Sequence, residues 1–270
     1  MTTLPNGIGG STGAALATAK PLYASGSVYY VDSVNGDDSD SGLSRLQPKA
    51  SLSSAQTAAS DDDIIVLLDG HAETLTGALT ISKRLTVVAE GQSSGKPTVK
   101  LTNNQAGGSL LTISATDVQF HNIWFEEESQ GNSAVRITTN QARTTFKGCY
   151  FEADDNNNAA VLQVNTGASD LVIDGCTFIS TEATSTNSPP TIAVELAAAM
   201  SQVLIKDTVF SGGTMGWSDF ALKASAAAIT RVRGEGVSML LGADADFHTS
   251  STGYFNPQTN TGGARVNGLG

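Results

Sequence analysis

The sequence predicts an all-β protein that folds as a parallel β-solenoid, and three observations support this prediction. Short strand-like segments separated by Gly, Asn, Asp and Ser follow one another from Ile64 onwards. Equivalent positions in five of these segments recur at intervals of 26 to 32 residues. Charged residues make up only 15% of the 270 residues, which disfavours coiled coils and helical bundles. A variable period of this length fits one solenoid coil, whereas a propeller blade needs about 40 residues.

The charge balance excludes several classes of function. The chain has 26 acidic and 15 basic side chains, for a formal net charge of −11. Binding to nucleic acid depends on Lys and Arg that neutralise phosphates, so no nucleic-acid partner is predicted. No stretch approaches 18 uninterrupted apolar residues, so no membrane span is predicted either. Two cysteines in 270 residues cannot form a disulfide scaffold.

The chain divides into three predicted parts. Residues 1–27 are rich in Gly, Ser, Thr and Ala without periodicity, which is typical of an extended arm. Residues 28–242 form the β-solenoid domain, with a capping strand and a short helix within 28–60 and coils over 61–242. Residues 243–270 form a Gly/Asn-rich tail. No basic residue precedes Lys20, so no secretion signal is expected. The protein is therefore expected to be synthesised in a cytoplasm.

Two columns of apolar residues define the predicted core. Each column takes one residue from each successive coil, and side chains two positions apart share a face of a strand. The first column consists of Phe120, Phe146, Ile173, Ile205 and Val232. The second column consists of Phe125, Phe151, Phe178, Phe210 and Val237.

A third column predicts the corner of each coil. Its residue types are Gly, Asn and Asp, which tolerate a left-handed backbone, so the chain is expected to turn sharply there. Its members are Asn122, Gly148, Gly175, Asp207 and Gly234. The next position points inward, which places Glu235 in the core of the last coil and suggests that the stack begins to end there.

The stacked columns resemble those of a known group of proteins. Three further stretches share this resemblance, namely residues 30–38, 42–43 and 64–75. Residues 28–240 resemble phage-encoded virion proteins with the right-handed parallel β-helix of the pectate-lyase-like superfamily. The resemblance implies that the fold is a right-handed parallel β-helix and that the short helix caps its open N-terminal end. It also implies a parallel homotrimer.

The sequence predicts no catalytic residue, metal site or cofactor. Asp154 and Asp155 match one motif of the hydrolases of that superfamily, but they lie in a polar loop and the remaining motifs do not follow. His71 is expected to make a structural hydrogen bond, and His121 is expected to be an outward strand residue without a catalytic partner. An outward ladder that includes Lys147, Asp174 and Lys206 is expected to be a solvated charge ladder. Cys149 and Cys176 fall in one inward column at a spacing near that of a disulfide, and buried free thiols are favoured.

One outward column differs from an ordinary solvated face because it contains no charge. Its members are Trp124, Tyr150, Thr177 and Val209. A contiguous apolar strip usually marks a contact surface, which here would either stack sugars or bury against another subunit. The subunit interface is favoured, because the phage proteins that the chain resembles commonly form homotrimers.

These observations favour a non-enzymatic bacteriophage virion protein. The hypothesis is a homotrimeric capsid decoration or head-surface protein that binds the particle through its terminal arms. Its expected partners are copies of itself and the major capsid protein or another virion protein, and its expected location is the virion surface. The alternative is a tailspike-like protein that binds or depolymerises a host surface polysaccharide.

Overall fold

A computed structural model of the chain describes a defined set of residues. They are 26–75, 77, 79–103, 111–127, 137–153, 160–165, 167–181, 192–212, 220–224, 229–240, 246–249, 259–260 and 266–267. Residues 1–25 of the predicted arm lie outside the described residues, as do Asp154 and Asp155.

Three eight-stranded sheets form the walls of the molecule. The first sheet contains β1 (Val28–Val31), β2 (Ile64–Leu67), β5 (Thr86–Ala89), β10 (Gln119–His121), β13 (Thr145–Lys147), β16 (Leu171–Asp174), β19 (Met200–Lys206) and β22 (Ile229–Glu235). The second contains β3 (Ala72–Leu75), β8 (Lys100–Asn103), β11 (Trp124–Glu127), β14 (Tyr150–Ala153), β17 (Thr177–Ser180), β20 (Val209–Ser211), β23 (Ser238–Leu240) and β25 (Thr259–Asn260). The third contains β4 (Leu79–Ile81), β9 (Leu111–Ile113), β12 (Ile137–Thr139), β15 (Leu162–Val164), β18 (Ile192–Leu196), β21 (Phe220–Ala224), β24 (Asp246–Thr249) and β26 (Val266–Asn267). A short antiparallel hairpin, β6 (Gln92–Ser93) and β7 (Lys96–Pro97), projects between β5 and β8.

The predicted parallel β-solenoid is confirmed. Within each of the three large sheets, every strand pairs in parallel with the equivalent strand of the next coil. Phe120 pairs with Phe146, which pairs with Ile173, and Ile173 pairs with Ile205. Parallel neighbours lie about 4.8 Å apart, so each residue column rises along the solenoid axis by one strand spacing per coil.

Stacked phenylalanines fill the space between the first and second sheets. Phe125, Phe151, Phe178 and Phe210 lie almost parallel, with successive ring centroids 5.2, 4.3 and 5.1 Å apart. Phe120 meets this stack edge-on, 5.9 Å from Phe125. All five rings are buried. Offset stacks and edge-to-face contacts are the favoured geometries for aromatic pairs, so the column is stabilised by more than the apolar area that it buries.

The corner between the first and second sheets follows the predicted column for four coils. Asn122, Gly148, Gly175 and Asp207 have φ values of 57°, 61°, 63° and 46°. Asn122 also ties the hairpin to the coil, because its side-chain amide donates to the carbonyls of Ala89 and Gly91.

In the last coil the predicted corner at Gly234 is wrong. Gly234 lies within strand β22 opposite Ile205, and the corner falls at Gly236, with φ 61°. Glu235 therefore points outward opposite Lys206, not into the core, and it pairs with Arg233. A shift of two residues keeps Val232 inward and Arg233 outward, so alternation before the corner could not reveal the error. The sign of it was the acidic Glu235, which the predicted corner placed in the core.

A second left-handed column lies at or near the start of strands of the first sheet, and the sequence did not predict it. Its members are Asp62, Asp117, Arg143, Asp170 and Gln202, with φ between 59° and 68°. Side chains link this column from coil to coil. The guanidinium of Arg143 donates to both oxygens of Asp117, at 2.6 and 2.8 Å, and its hydrogen bonds lower the pKa of that carboxyl.

The helix α1 (Leu52–Ala58) closes the N-terminal end of the solenoid. Leu52 and Ala55 are buried, and the helix packs against β1 and β2. Its N-terminus is capped twice, because Ser51 accepts from the amide of Ser54 and Glu73 accepts from the amide of Leu52. At the other end, the ammonium of Lys83 donates to the carbonyls of residues 56, 57 and 59. Groups that helix ends leave unpaired are thereby satisfied from the first coil.

The sheets continue past the predicted domain boundary at residue 242. Strand β24 pairs in parallel with β21, and β25 and β26 pair with β23 and β24. The region expected to be a tail thus contributes strands to the second and third sheets. Within the described residues, no helix has both the length and the apolar character needed to span a bilayer.

Truncation of Phe151 to Ala is expected to lower the free energy of unfolding by about 3–5 kcal/mol, because the ring is fully buried between two stacked neighbours. Urea denaturation measures the change. The control is Lys147→Ala, which alters an exposed side chain of the same coil, on the first sheet. It should change the free energy of unfolding by less than about 0.5 kcal/mol. Equal losses for the two variants would contradict the stacked core.

Replacing Gly148 tests the corner column. Gly148→Ala should cost about 1–2 kcal/mol, because alanine resists the left-handed region, although its Cβ would meet no atom within 4 Å. Gly148→Asn should cost less, since asparagine tolerates this conformation. Thermal unfolding of both variants provides the measurement, and an Ala variant as stable as the parent would show that the corner is not left-handed.

Candidate functional site

The four residues of the predicted outward strip lie on the outer face of the second sheet. Trp124, Tyr150, Thr177 and Val209 pair in register on four successive strands. Each is half-buried. The rings of Trp124 and Tyr150 meet edge to face, with centroids 6.4 Å apart. The predicted column therefore exists as a continuous surface feature.

The strip itself contains no charged residue, but charged side chains lie against it. Lys100 pairs in register with Trp124, and its ammonium lies 5.0 Å from the centre of the indole ring. Lys96, directly after the turn of the β6–β7 hairpin, places its ammonium 3.2 Å from the Trp124 ring centre and 4.4 Å from that of Tyr150. Both lysines precede the strip in the chain: Lys100 extends its column by one coil, whereas Lys96 lies outside the repeat.

Two carboxylates complete the cluster. Glu126 and Glu152 lie two positions after Trp124 and Tyr150, on the same face, and pair in register with each other. Lys100 Nζ lies 2.6 Å from Glu126, and Lys96 Nζ lies 2.7 Å from Glu152. We call this group the outer cluster. Its members are Lys96, Lys100, Trp124, Glu126, Tyr150 and Glu152.

The two carboxylates differ in how they are held. Glu126 accepts from Lys100 and also from the buried hydroxyl of Thr102, 3.0 Å away. Glu152 bonds to Lys96, which belongs to the hairpin whose residues 92–95 are exposed. Glu126 is thus fixed by the sheet, whereas the cation beside Glu152 belongs to a projecting element.

The polar atoms of the two aromatic side chains in the cluster are partly or fully buried. Burial, and secondarily the neighbouring carboxylate of Glu152, raises the pKa of Tyr150 above its usual value. Trp124 Nε1 is buried and has no hydrogen-bond partner among the described residues. Buried donors are normally satisfied, so an indole N–H without a partner is unusual among the side chains that the structure describes.

A signal for the two glutamates was present in the sequence. The strand period of two places residues 126 and 152 on the face of Trp124 and Tyr150, and extending the aligned columns by two positions would have found them. The lysines were harder to find, since alignment of Lys100 requires the first coil and Lys96 belongs to a hairpin outside the repeat.

The two histidines and the charge ladder considered in the sequence make contacts that are typical of structural residues. His71 is fully buried, and its Nδ1 accepts from the backbone amide of Ser33 at 3.0 Å. His121 lies outward beside Gln119, and burial, followed by the charge of Lys147, lowers its pKa. Asp174 lies 3.8 Å from Lys147 and 4.0 Å from Lys206, as a charge ladder requires.

Cys149 and Cys176 are buried free thiols on adjacent coils. Their sulfur atoms lie near the carbonyls of Phe120 and Phe146, at 3.4 and 3.5 Å. Burial, together with the neighbouring Cys149, raises the pKa of Cys176 well above its usual value. In the part of the chain that the structure describes, His, Cys, Asp and Glu form no group of three or more suited to a metal ion.

Comparisons with known proteins connect the chain to other solved structures through its fold. No family model matches the chain, and no curated protein matches it. A rhamnogalacturonan lyase is 12% identical with a TM-score of 0.48, over 85% of this chain and 62% of that one. The pectate lyase Pel9A is 15% identical with a TM-score of 0.38, over 88% and 78%. A GH136 lacto-N-biosidase from Eubacterium ramulus is 11% identical with a TM-score of 0.42, over 85% and 59%.

These likenesses concern the fold, since all three identities are low and the chain spans less than two thirds of two of the three proteins. They correct the prediction that the chain is not an enzyme, because the solved structures that it is similar to are two lyases and a biosidase. The phage origin stays a prediction. The structural neighbours of the chain are pectate-lyase-like parallel β-helix proteins.

Proposed function

We propose that the chain binds a polysaccharide across the outer face of the second sheet and cleaves it with Glu126 and Glu152. The observation that carries the proposal is the outer cluster itself, in which two aromatic rings and two carboxylates share one face of adjacent coils. An aromatic surface with a few converging polar groups is typical of ligand sites.

The backbone spacing of Glu126 and Glu152 is compatible with glycoside cleavage. Glu126 and Glu152 pair directly on neighbouring parallel strands, which lie about 4.8 Å apart. Retaining glycosidases hold their two carboxyl groups about 5–5.5 Å apart, whereas inverting enzymes need about 6.5–9.5 Å. The register therefore supports a retaining reaction, in which one carboxylate attacks the anomeric carbon and the other protonates the leaving oxygen.

The environments of the two glutamates suggest a role for each. Glu126 is held by Lys100 and Thr102 within the sheet, which suits a nucleophile that must keep its position. The cation beside Glu152 is on the hairpin, so a ligand that displaces Lys96 can contact this carboxyl directly, as the carboxyl that exchanges a proton with the leaving oxygen must.

The homotrimer, the virion location and the capsid or other virion partner are proposals that rest on the sequence resemblance. A tailspike-like protein would combine them with polysaccharide binding. The four charged groups of the outer cluster favour glycan contact over a subunit interface at this face, because charged residues are depleted at the cores of protein interfaces.

Glu126→Gln and Glu152→Gln are expected to lower turnover of a cleaved polysaccharide by about 10²–10⁴-fold each, because each removes one member of the acid–base pair. Release of reducing ends from a panel of bacterial surface polysaccharides is the measurement. Asp174→Asn, on the first sheet, is the matched control and should retain full activity. Unchanged turnover in both Gln variants would refute the assignment of these residues.

The double variant Trp124→Glu with Tyr150→Glu separates glycan contact from assembly. Both side chains are half-buried on the outer face, so the fold should remain intact. If this face binds glycan, the variant will keep the parent's mass in sedimentation velocity and lose polysaccharide binding. Dissociation of an assembly into monomers would instead identify the strip as a subunit interface.

A further inference from the structure

The ammonium of Lys96 occupies a cation-binding cage formed by three side chains of the outer cluster. The Trp124 ring centre lies 3.2 Å from Lys96 Nζ, the Tyr150 ring centre lies 4.4 Å away, and a Glu152 oxygen lies 2.7 Å away. We call these three residues the Lys96 cage. Two aromatic faces with a carboxylate are the arrangement by which proteins recognise ammonium groups.

The ammonium in the cage is supplied by a projecting element. Lys96 lies in strand β7 of the two-stranded hairpin, and residues 92–95 of that hairpin are exposed. An isolated hairpin of this length has little stability of its own. Lys96 can therefore leave the cage at lower cost than the sheet residues Trp124, Tyr150 and Glu152, whose backbones are paired on both sides.

We infer that the polysaccharide bound by the outer cluster carries free amino groups, and that a protonated amino sugar takes the place of the Lys96 ammonium in the cage. This inference rests on the proposed glycan-binding function. The aromatic rings would then contact the sugar ring while Glu152 pairs with its ammonium. An amino sugar satisfies the cage in the same way as Lys96, so the carboxylate keeps a cationic partner.

The charge of the protein agrees with a cationic glycan. The chain has a net charge of −11, which attracts a positively charged polymer and accelerates its association. An anionic glycan would bring its carboxylates towards Glu126 and Glu152 and would have to break the ion pairs of Lys96 and Lys100. The described cluster thus favours ammonium groups over carboxylates in the ligand.

Two oligosaccharides that differ only in the amino group test the inference. Glucosamine hexamers and N-acetylglucosamine hexamers share one backbone, and at about pH 6 the free amino groups are protonated. Isothermal titration calorimetry of the full chain should give at least about tenfold tighter binding of the glucosamine hexamer, the size of one buried cation–π contact.

Charge-neutral variants distinguish the cage from general attraction between opposite charges. Trp124→Leu leaves the net charge unchanged but removes one wall of the cage, so the preference for the amino hexamer should disappear. Lys96→Met removes the internal occupant and should tighten binding of the glucosamine hexamer several-fold. Lys147→Met changes the charge equally on the first sheet and should have a smaller effect.

Each result has a distinct meaning. If the two hexamers bind with equal affinity and Trp124→Leu abolishes binding of both, the amino-sugar inference is overturned and the glycan-binding function stands. Binding of the amino hexamer that persists in Trp124→Leu would overturn the cage. Failure of both hexamers to bind would overturn the inference, and the turnover assay with Glu126→Gln and Glu152→Gln would then decide the proposed function separately.

Discussion

Each coil must return the chain to the same lateral position one strand spacing further along the axis, and the left-handed corner makes that return possible. Asn122, Gly148, Gly175 and Asp207 turn the backbone between the first and second sheets. The turn fixes the register of the strand that follows, so the phenylalanines of the second sheet stack above one another. Without a constant register, the core column and the outer cluster would both be lost.

The same register that builds the core also brings like charges together outside it. Glu126 and Glu152 lie on directly paired positions, where like charges destabilise a sheet. Lys100 and Lys96 offset this repulsion by pairing with one carboxylate each. A solenoid can therefore hold two carboxylates at a spacing suited to glycoside cleavage, provided that nearby cations stabilise them when no ligand is bound.

The repeat could be predicted from the sequence because Phe, Gly, Asn and Asp recur at matching positions of each coil. The outer column from Trp124 to Val209 followed from the same alternation. The corner at Gly236 was missed because a slip of two residues leaves the alternation before the corner unchanged, although the acidic Glu235 that it placed in the core was a sign of the error. Lys96 could not be predicted either, since its position over Trp124 depends on a hairpin outside the repeat. The glutamates were accessible to sequence reasoning but were not connected with the aromatic residues beside them.

A crystal structure of the chain with a glucosamine oligomer tests the central claim most directly, because it locates the ligand on the solenoid. If the outer cluster is the binding site, a sugar ring will lie against Trp124 and Tyr150, its amino nitrogen will lie within hydrogen-bonding distance of Glu152, and Lys96 will have left the indole face. An oligomer bound to the first or third sheet, with the Lys96 ammonium still over the Trp124 ring, would contradict the claim.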